Sequence, residues 1–300
     1  MSIHAATRGE KVFYGVNYLL LAVFTLVCIL PFFHNIAISL SSYRAVISGE
    51  VGLLPVDLTW NAYENLIAEG TIFQALWNTI HVTVVGTALS MAATVLAAYP
   101  LSKRRILGRT AMLWLVIFTM LFNGGMIPTF IVVRTYGLVN SYWALWMLGL
   151  ASGFNIFIMK TFFQEQPESL EESAWMDGAS DITILLRIVL PLSTPVIATL
   201  TLFYAVGNWN SYMNVLIYIQ EPSKYTLMLR LRQMINQVND ALLAARSGEG
   251  TEGSSMLDEL ITPESIRAAA IIVATVPILM VYPFLQRYFV KGVMLGSLKG

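Results

Sequence analysis

Six stretches of the sequence carry no Asp, Glu, Lys or Arg and are each long enough to cross a lipid bilayer as a helix: Phe13 to Phe33, Ala75 to Ala98, Thr110 to Val133, Tyr142 to Met159, Leu192 to Ile219 and Ala268 to Leu285. A hydrocarbon core of about 30 Å takes about 20 mostly apolar residues to span, and a charge at the helix centre costs roughly 2.5 to 3.5 kcal/mol. Lipid offers backbone amides no partner, so each run must close its hydrogen bonds within a helix. The predicted fold is all-α, an integral membrane protein with six transmembrane helices. Composition points the same way: 56% hydrophobic and 12% charged residues, with a mean hydropathy of +0.66, are too apolar for a soluble domain of this length. The first run follows Arg8 and Lys11 but exceeds the apolar core of a signal peptide, and no clear small-residue cleavage site follows Pro31. It reads as a retained helix.

Basic residues orient these helices. Lys103, Arg104, Arg105 and Arg109 fill the second connection, Arg8 and Lys11 precede the first helix, and Arg287, Lys291 and Lys299 follow the sixth start; the first and third connections hold only Arg44 and Arg134. The positive-inside rule then puts both termini and the second and fourth connections in the cytoplasm. On this reading residues 1–12 are a cytoplasmic start, 13–290 the transmembrane domain with a cytoplasmic loop at 164–191 and a long external loop at 220–267, and 291–300 a cytoplasmic tail.

Several function classes are disfavoured. Net charge is zero and the pI is near 6.8, so no basic field invites nucleic acid. A single cysteine, Cys28, excludes an internal disulfide and a cysteine metal cluster. His4, His34 and His81 are scattered, with no clustered carboxylates to suggest a membrane enzyme. His81, beside Asn78 and Thr79 in the second run, reads as a hydrogen-bonded packing residue. No G-x-x-x-x-G-K-[ST] occurs, so no nucleotide hydrolysis and no bound cofactor are expected of this chain. An ion-driven secondary carrier would place carboxylates inside the membrane, and all six runs lack them.

Outside the runs, Asp57 or Thr59 is placed to cap a short helix through Tyr63 and Leu66, and "MLRLRQMINQVNDALL" has helical apolar spacing ahead of the Gly/Ser-rich "SGEGTEGSS", which reads as a flexible joint. Inside them, "FNGGMIP" sets Gly124, Gly125 and Pro128 in the third run, and "YAVGNWNSYMN" sets Gly207, Asn208, Asn210 and Asn214 in the fifth. Unwound backbone at membrane depth persists only where protein or a water-lined cavity satisfies it. Such residues serve either close helix packing or a solute path. Gly124, Gly125, Tyr204, Trp209, Asn210 and Tyr212 are the candidates for the path; the three aromatic rings suit either stacking on a sugar or anchoring at the membrane interface.

The stretch "EESAWMDGAS", Glu171 to Ser180, is an acidic knot between two apolar runs. Pro167 suits a helix start, Glu168, Glu171 and Glu172 complement its positive end, and Gly178 suits a left-handed stop. Ser180 then caps a second helix through Ile188, and Pro191 marks the bend into the fifth span. Leu170, Ala174 and Trp175 make one side of the first helix apolar. An acidic face suits a basic protein partner better than an anionic leaflet.

The run Glu172, Ser173, Ala174, Asp177, Gly178, Ala179, then Ile188, Leu190 and Pro191, resembles the "EAA…DGA…I-x-LP" loop of permease subunits of binding-protein-dependent ABC importers. Ser173 stands where that family usually has alanine. "TWNAYENL", "LWNT", "GGMIP", the "WN" in the fifth run and the tail "YPFLQRYFVKGVMLGSLKG" extend the likeness over nearly the whole chain. They are similar to the carbohydrate-uptake branch, MalG-like and closer still to the LplC-like complex-oligosaccharide subgroup. The resemblance implies a type I importer permease fold in a bacterial plasma membrane. It implies an ATPase-coupling helix in which the glutamate at Glu172 faces a basic residue of a cytoplasmic ATPase, with Gly178 allowing the turn that follows. It also implies a set of partners: two ABC ATPase subunits that use ATP-Mg, a second homologous permease, and an extracellular binding protein that delivers a sugar. Lys291, Gly292 and Lys299 would lie near the ATPase pair.

Overall fold

The computed structural model describes residues 8–68, 70–246 and 262–297. The Gly/Ser-rich joint and Lys299 lie outside them. Every regular element among the described residues is helical. Three helices are singly long and apolar enough to cross a membrane, in α1 (Arg8–Ser39), α4 (Thr71–Ser102) and the Pro263–Met280 part of α15 (Pro263–Ser297). Three further candidate spans are pairs of helices bent at a break, up to six in all: two pairs fall in the third and fourth apolar runs, and the last joins Asp181–Leu192 to Thr194–Trp209, starting ahead of the fifth run.

Chain breakers explain the bends. The third run divides into α5 (Arg109–Leu121) and α6 (Met126–Thr135), which meet at 115°. Gly125 there adopts φ +83° and ψ 171°, a region open almost only to glycine, and its N–H donates to Asn123 Oδ1 at 2.9 Å. The fourth divides at Gly149 and Ser152 into α7 (Tyr142–Leu148) and α8 (Gly153–Gln164), at 53°. The expected fifth span from Leu192 to Ile219 is corrected to α12 (Thr194–Trp209) followed by α13 (Tyr212–Tyr218). The polar run Asn208, Asn210, Ser211 ends α12, where the Ser211 N–H bonds Asn208 O at 3.2 Å.

The chain forms two compact units. In the unit of Met1–Glu69 with Leu231–Thr275, α2 (Tyr43–Ser48) is capped by Ser42, whose hydroxyl accepts the Ala45 N–H, and Ala37, Ala45 and Val51 make a small core. Thr59, not Asp57, caps α3 (Asn61–Ala68), accepting the Asn61 N–H at 3.3 Å. The expected helix in the fifth connection is α14 (Leu227–Arg246), shared between the units.

In the unit of Gly70–Arg230 with Val276–Gly300, α4 packs along α8 and α12. Small and hydroxylated residues on α4 permit this closeness. A Cβ on Gly86 would stand 2.9 Å from Asn208 Nδ2 of α12. Ser90 Oγ donates to Gly149 O at 2.9 Å, and Thr94 Oγ1 meets the Tyr204 hydroxyl at 2.7 Å. Ala98, Leu101, Met159, Phe163, Val189 and Leu200 form the apolar core at one end of this bundle. The acidic knot is built on that core.

Candidate functional site

The knot forms α9 (Glu168–Met176), entered from Pro167 in an extended conformation. Its end is a Schellman turn: Gly178 is left-handed at φ +80°, its N–H bonds Trp175 O at 2.9 Å, and the Ala179 N–H bonds Ala174 O at 3.0 Å. Ser180 caps the next helix by accepting the Thr183 N–H at 3.3 Å. That helix starts as α10 (Asp181–Ile184), widens into a π-turn over Leu185–Val189 and finishes as α11 (Leu190–Leu192). The chain then bends by 84° into α12. The bend falls at Ser193, two residues beyond the expected Pro191, where the buried Ser193 hydroxyl donates to Val189 O at 2.6 Å and accepts from Gln166 Nε2 at 2.7 Å.

The acids of α9 divide by face. Glu172, Ser173, Asp177 and Gly178 are exposed, as are Glu168 and Met176, which is 88% exposed. Ala174, Trp175 and Ala179 turn inward and pack on the apolar core with Leu190. Leu170, expected on the apolar side, is largely exposed. Glu171 is buried and forms an ion pair with Lys103, whose ammonium also lies 4.7 Å above the Tyr99 ring. Arg105 lies 3.9 Å over the Trp175 ring and bonds Asp181 Oδ1 at 2.8 Å, and Trp175 Nε1 donates to the same oxygen at 3.1 Å. Between the foot of α4 and α9 is a polar cleft of about 370 Å³.

The pairing of Lys103 with Glu171 and of Arg105 with Asp181 has no signal in the local sequence. The basic triplet was visible only as a topological charge, and its partners lie 68 and 76 residues away. Contacts of that range have no local pattern. The signal available was the third acid: a helix docking through Glu172 has no outward use for its neighbour Glu171, one residue and about 100° around the helix.

The candidates for a solute path do not form one cluster. Gly124 and Gly125 sit at the exposed break in the third span. The Tyr204 hydroxyl is occupied by Thr94 and by the Ser152 N–H at 3.3 Å. Trp209 is buried on the wall of a largely apolar cavity of about 530 Å³ with Thr83, Thr87, Met91 and Pro277. Asn210 is exposed at the end of α12, and Tyr212 packs on Val82, Leu145 and Val215. Asn208 reaches Thr87 Oγ1 at 3.4 Å. The His81 ring packs edge-on against Tyr142 and Trp146, while Asn78 donates to Ser223 O and Tyr225 O. At the turn beyond α13, hydrogen bonds from Lys224 and Ser223 hold the Glu221 carboxyl below the usual carboxylate range.

Helices long and apolar enough for up to six membrane spans among the described residues, with a capped acidic helix ahead of α12, are the features of a transport permease. Residues 90–295 match the family described as binding-protein-dependent transport system inner membrane component, and the chain belongs to that family. It is similar to the polygalacturonan/rhamnogalacturonan transport system permease protein YtcP of Bacillus subtilis (strain 168), 44% identical over 97% of this chain and 99% of that one. It is similar also to the protein LplC of the same organism, 42% identical over 98% and 97% of the two chains. Among solved structures, a bacterial ABC transporter involved in the import of the acidic polysaccharide alginate contains a chain that superposes with a TM-score of 0.80 at 33% identity, covering 95% of this chain and 99% of that one.

Proposed function

We propose that this chain is a transmembrane permease subunit of an ATP-driven importer for an acidic, uronate-bearing oligosaccharide. Support for the solute class comes from two relatives whose names both denote acidic polysaccharides, one in sequence and one in fold. An extracellular binding protein delivers the sugar, a second permease completes the path, and two cytoplasmic ATPase subunits bind and hydrolyse ATP-Mg. Both termini and α9 face the cytoplasm. The chain itself performs no chemistry on the sugar.

The observation that carries the coupling role is the division of α9: core-anchored on Ala174 and Trp175, acidic and exposed along Glu168, Glu172 and Asp177. A basic residue in a cleft of the ATPase would meet Glu172, and the apolar tip of Met176 would fill the cleft beside it. Closure of the ATPase pair on ATP displaces α9 and shifts the bundle between inward- and outward-facing states, which the nucleotide biases only through contacts that differ between them.

Uptake into proteoliposomes that hold the whole importer tests the solute class. Radiolabelled oligogalacturonide, supplied with the cognate binding protein and ATP inside, is expected to accumulate, and excess neutral malto-oligosaccharide is expected not to compete. Equal competition by the neutral sugar would overturn it. Glu172→Ala is expected to leave membrane insertion intact, weaken retention of the ATPase on purification and abolish uptake.

A further inference from the structure

We infer that Lys103 and Arg105, at the foot of α4, are positioning residues that fasten the coupling helix to the transmembrane bundle, so that displacement of α9 is carried into α4 instead of being absorbed by the loop. The inference rests on the docking role of α9 given above.

Two clamps meet the inner face of α9 from one short segment. The Lys103–Glu171 pair is nearly enclosed, with side-chain exposures of 16% and 10%. Removing one member of a buried pair strands the other charge, so the clamp resists opening more than a surface pair does. Arg105 closes the second clamp as a triangle: guanidinium over Trp175, guanidinium to Asp181, and Trp175 Nε1 to the same carboxylate. This joins α4, α9 and α10 at one point. Only a planar guanidinium both stacks on the indole and bonds the carboxylate from one place. The Arg105–Asp181 pair is half exposed, and such pairs add little stability; what this one provides is geometry.

The ends of the loop are tied as well. Gln164 Nε2 donates to Ser102 O at 3.1 Å, and Gln166 Nε2 donates to the Ser193 hydroxyl at the bend into α12. Beyond α9 a Cβ built on Gly178 would meet open space, while Ala179 packs on the core. The clamps at Glu171 and Trp175, with the packing of Ala174, are thus what binds the middle of α9 to the bundle. α4 in turn packs along α8 and α12 and lines the cavity beside Trp209.

The test uses the purified whole importer in nanodiscs, with Cys28→Ser and a reporter, Ala88→Cys, on the α4 wall of that cavity. Maleimide labelling of the reporter is measured with and without a non-hydrolysable ATP analogue and Mg²⁺, a readout that needs no sugar. In the parent protein the nucleotide is expected to change the rate. In Lys103→Met and in Arg105→Lys the nucleotide response is expected to fall about tenfold while the ATPase stays bound. The charge exchange Lys103→Glu with Glu171→Lys is expected to restore much of it. A full response in both single variants, or no recovery in the exchange, overturns the inference.

Hydrogen exchange of the α9 amides reads the clamps independently of the ATPase. It is expected to quicken in both variants, and unchanged exchange overturns the inference even where a variant has lost its partner. Glu172→Ala separates the two readings: loss of the ATPase with parental α9 exchange upholds docking. A retained ATPase there overturns docking and leaves the clamps to be judged by exchange alone.

Discussion

Gly178 sits at φ +80° with open space where a side chain would stand, so replacing it carries a conformational cost and no steric one. A non-glycine residue in the left-handed region costs roughly 1 to 2 kcal/mol, less for asparagine and most for a β-branched residue. Transport is therefore expected to fall in the order Asn, Ala, Val at position 178, with Gly178→Val the worst and all three equally inserted in the membrane. Transport rates normalised to protein in the membrane check this, and a parental rate in Gly178→Val would remove the turn from the mechanism. This residue was legible in sequence because a glycine directly after an amphipathic helix has one common use. Gly86 was not. Its reason is a side chain on another helix, Asn208, 2.9 Å from where its Cβ would be, and no local pattern in the sequence announces that approach.

At the scale of elements, length and charge decided most of the outcome. The uncharged runs are helical, whole or in pieces, since lipid leaves the backbone no alternative to the helix, and Pro167, Gly178 and Ser180 stand at the helix ends where their chemistry placed them. Hydropathy is blind to a break within a run, since the residues on either side remain apolar; the third and fourth runs are bent for that reason. The third shows which breaker matters. Gly125 occupies a backbone region open almost only to glycine, whereas Gly124 has no positive φ and nothing within 4 Å. Gly125→Ala is expected to strain the break by about 1 to 3 kcal/mol and lower the melting temperature in detergent, while Gly124→Ala changes it little. Scanning fluorimetry of the two variants checks this, and equal melting temperatures would show that the break relaxes.

For the whole molecule, the coupling role depends on which side of the membrane α9 occupies and what covers it there. The sequence yielded an orientation from Lys and Arg counts, but those counts treated Lys103 and Arg105 as free charges, and both are engaged with α9 and α10. Orientation then rests on the asymmetry that remains. Met176 is 88% exposed at the tip of α9, and Arg134 is exposed at the end of α6. With Cys28→Ser as background, Met176→Cys is expected to react with a membrane-impermeant maleimide only in inside-out vesicles, and Arg134→Cys only in intact cells. Reaction on the opposite sides would invert the topology and with it the docking role. Co-expressing the ATPase is further expected to slow labelling at Met176→Cys about tenfold or more, because a side chain enclosed in a protein interface is shielded from reagent as a buried one is. Labelling that stays fast with the ATPase stably bound would place the contact elsewhere on the cytoplasmic face. The exposed acids and the exposed methionine of α9 would then need another partner.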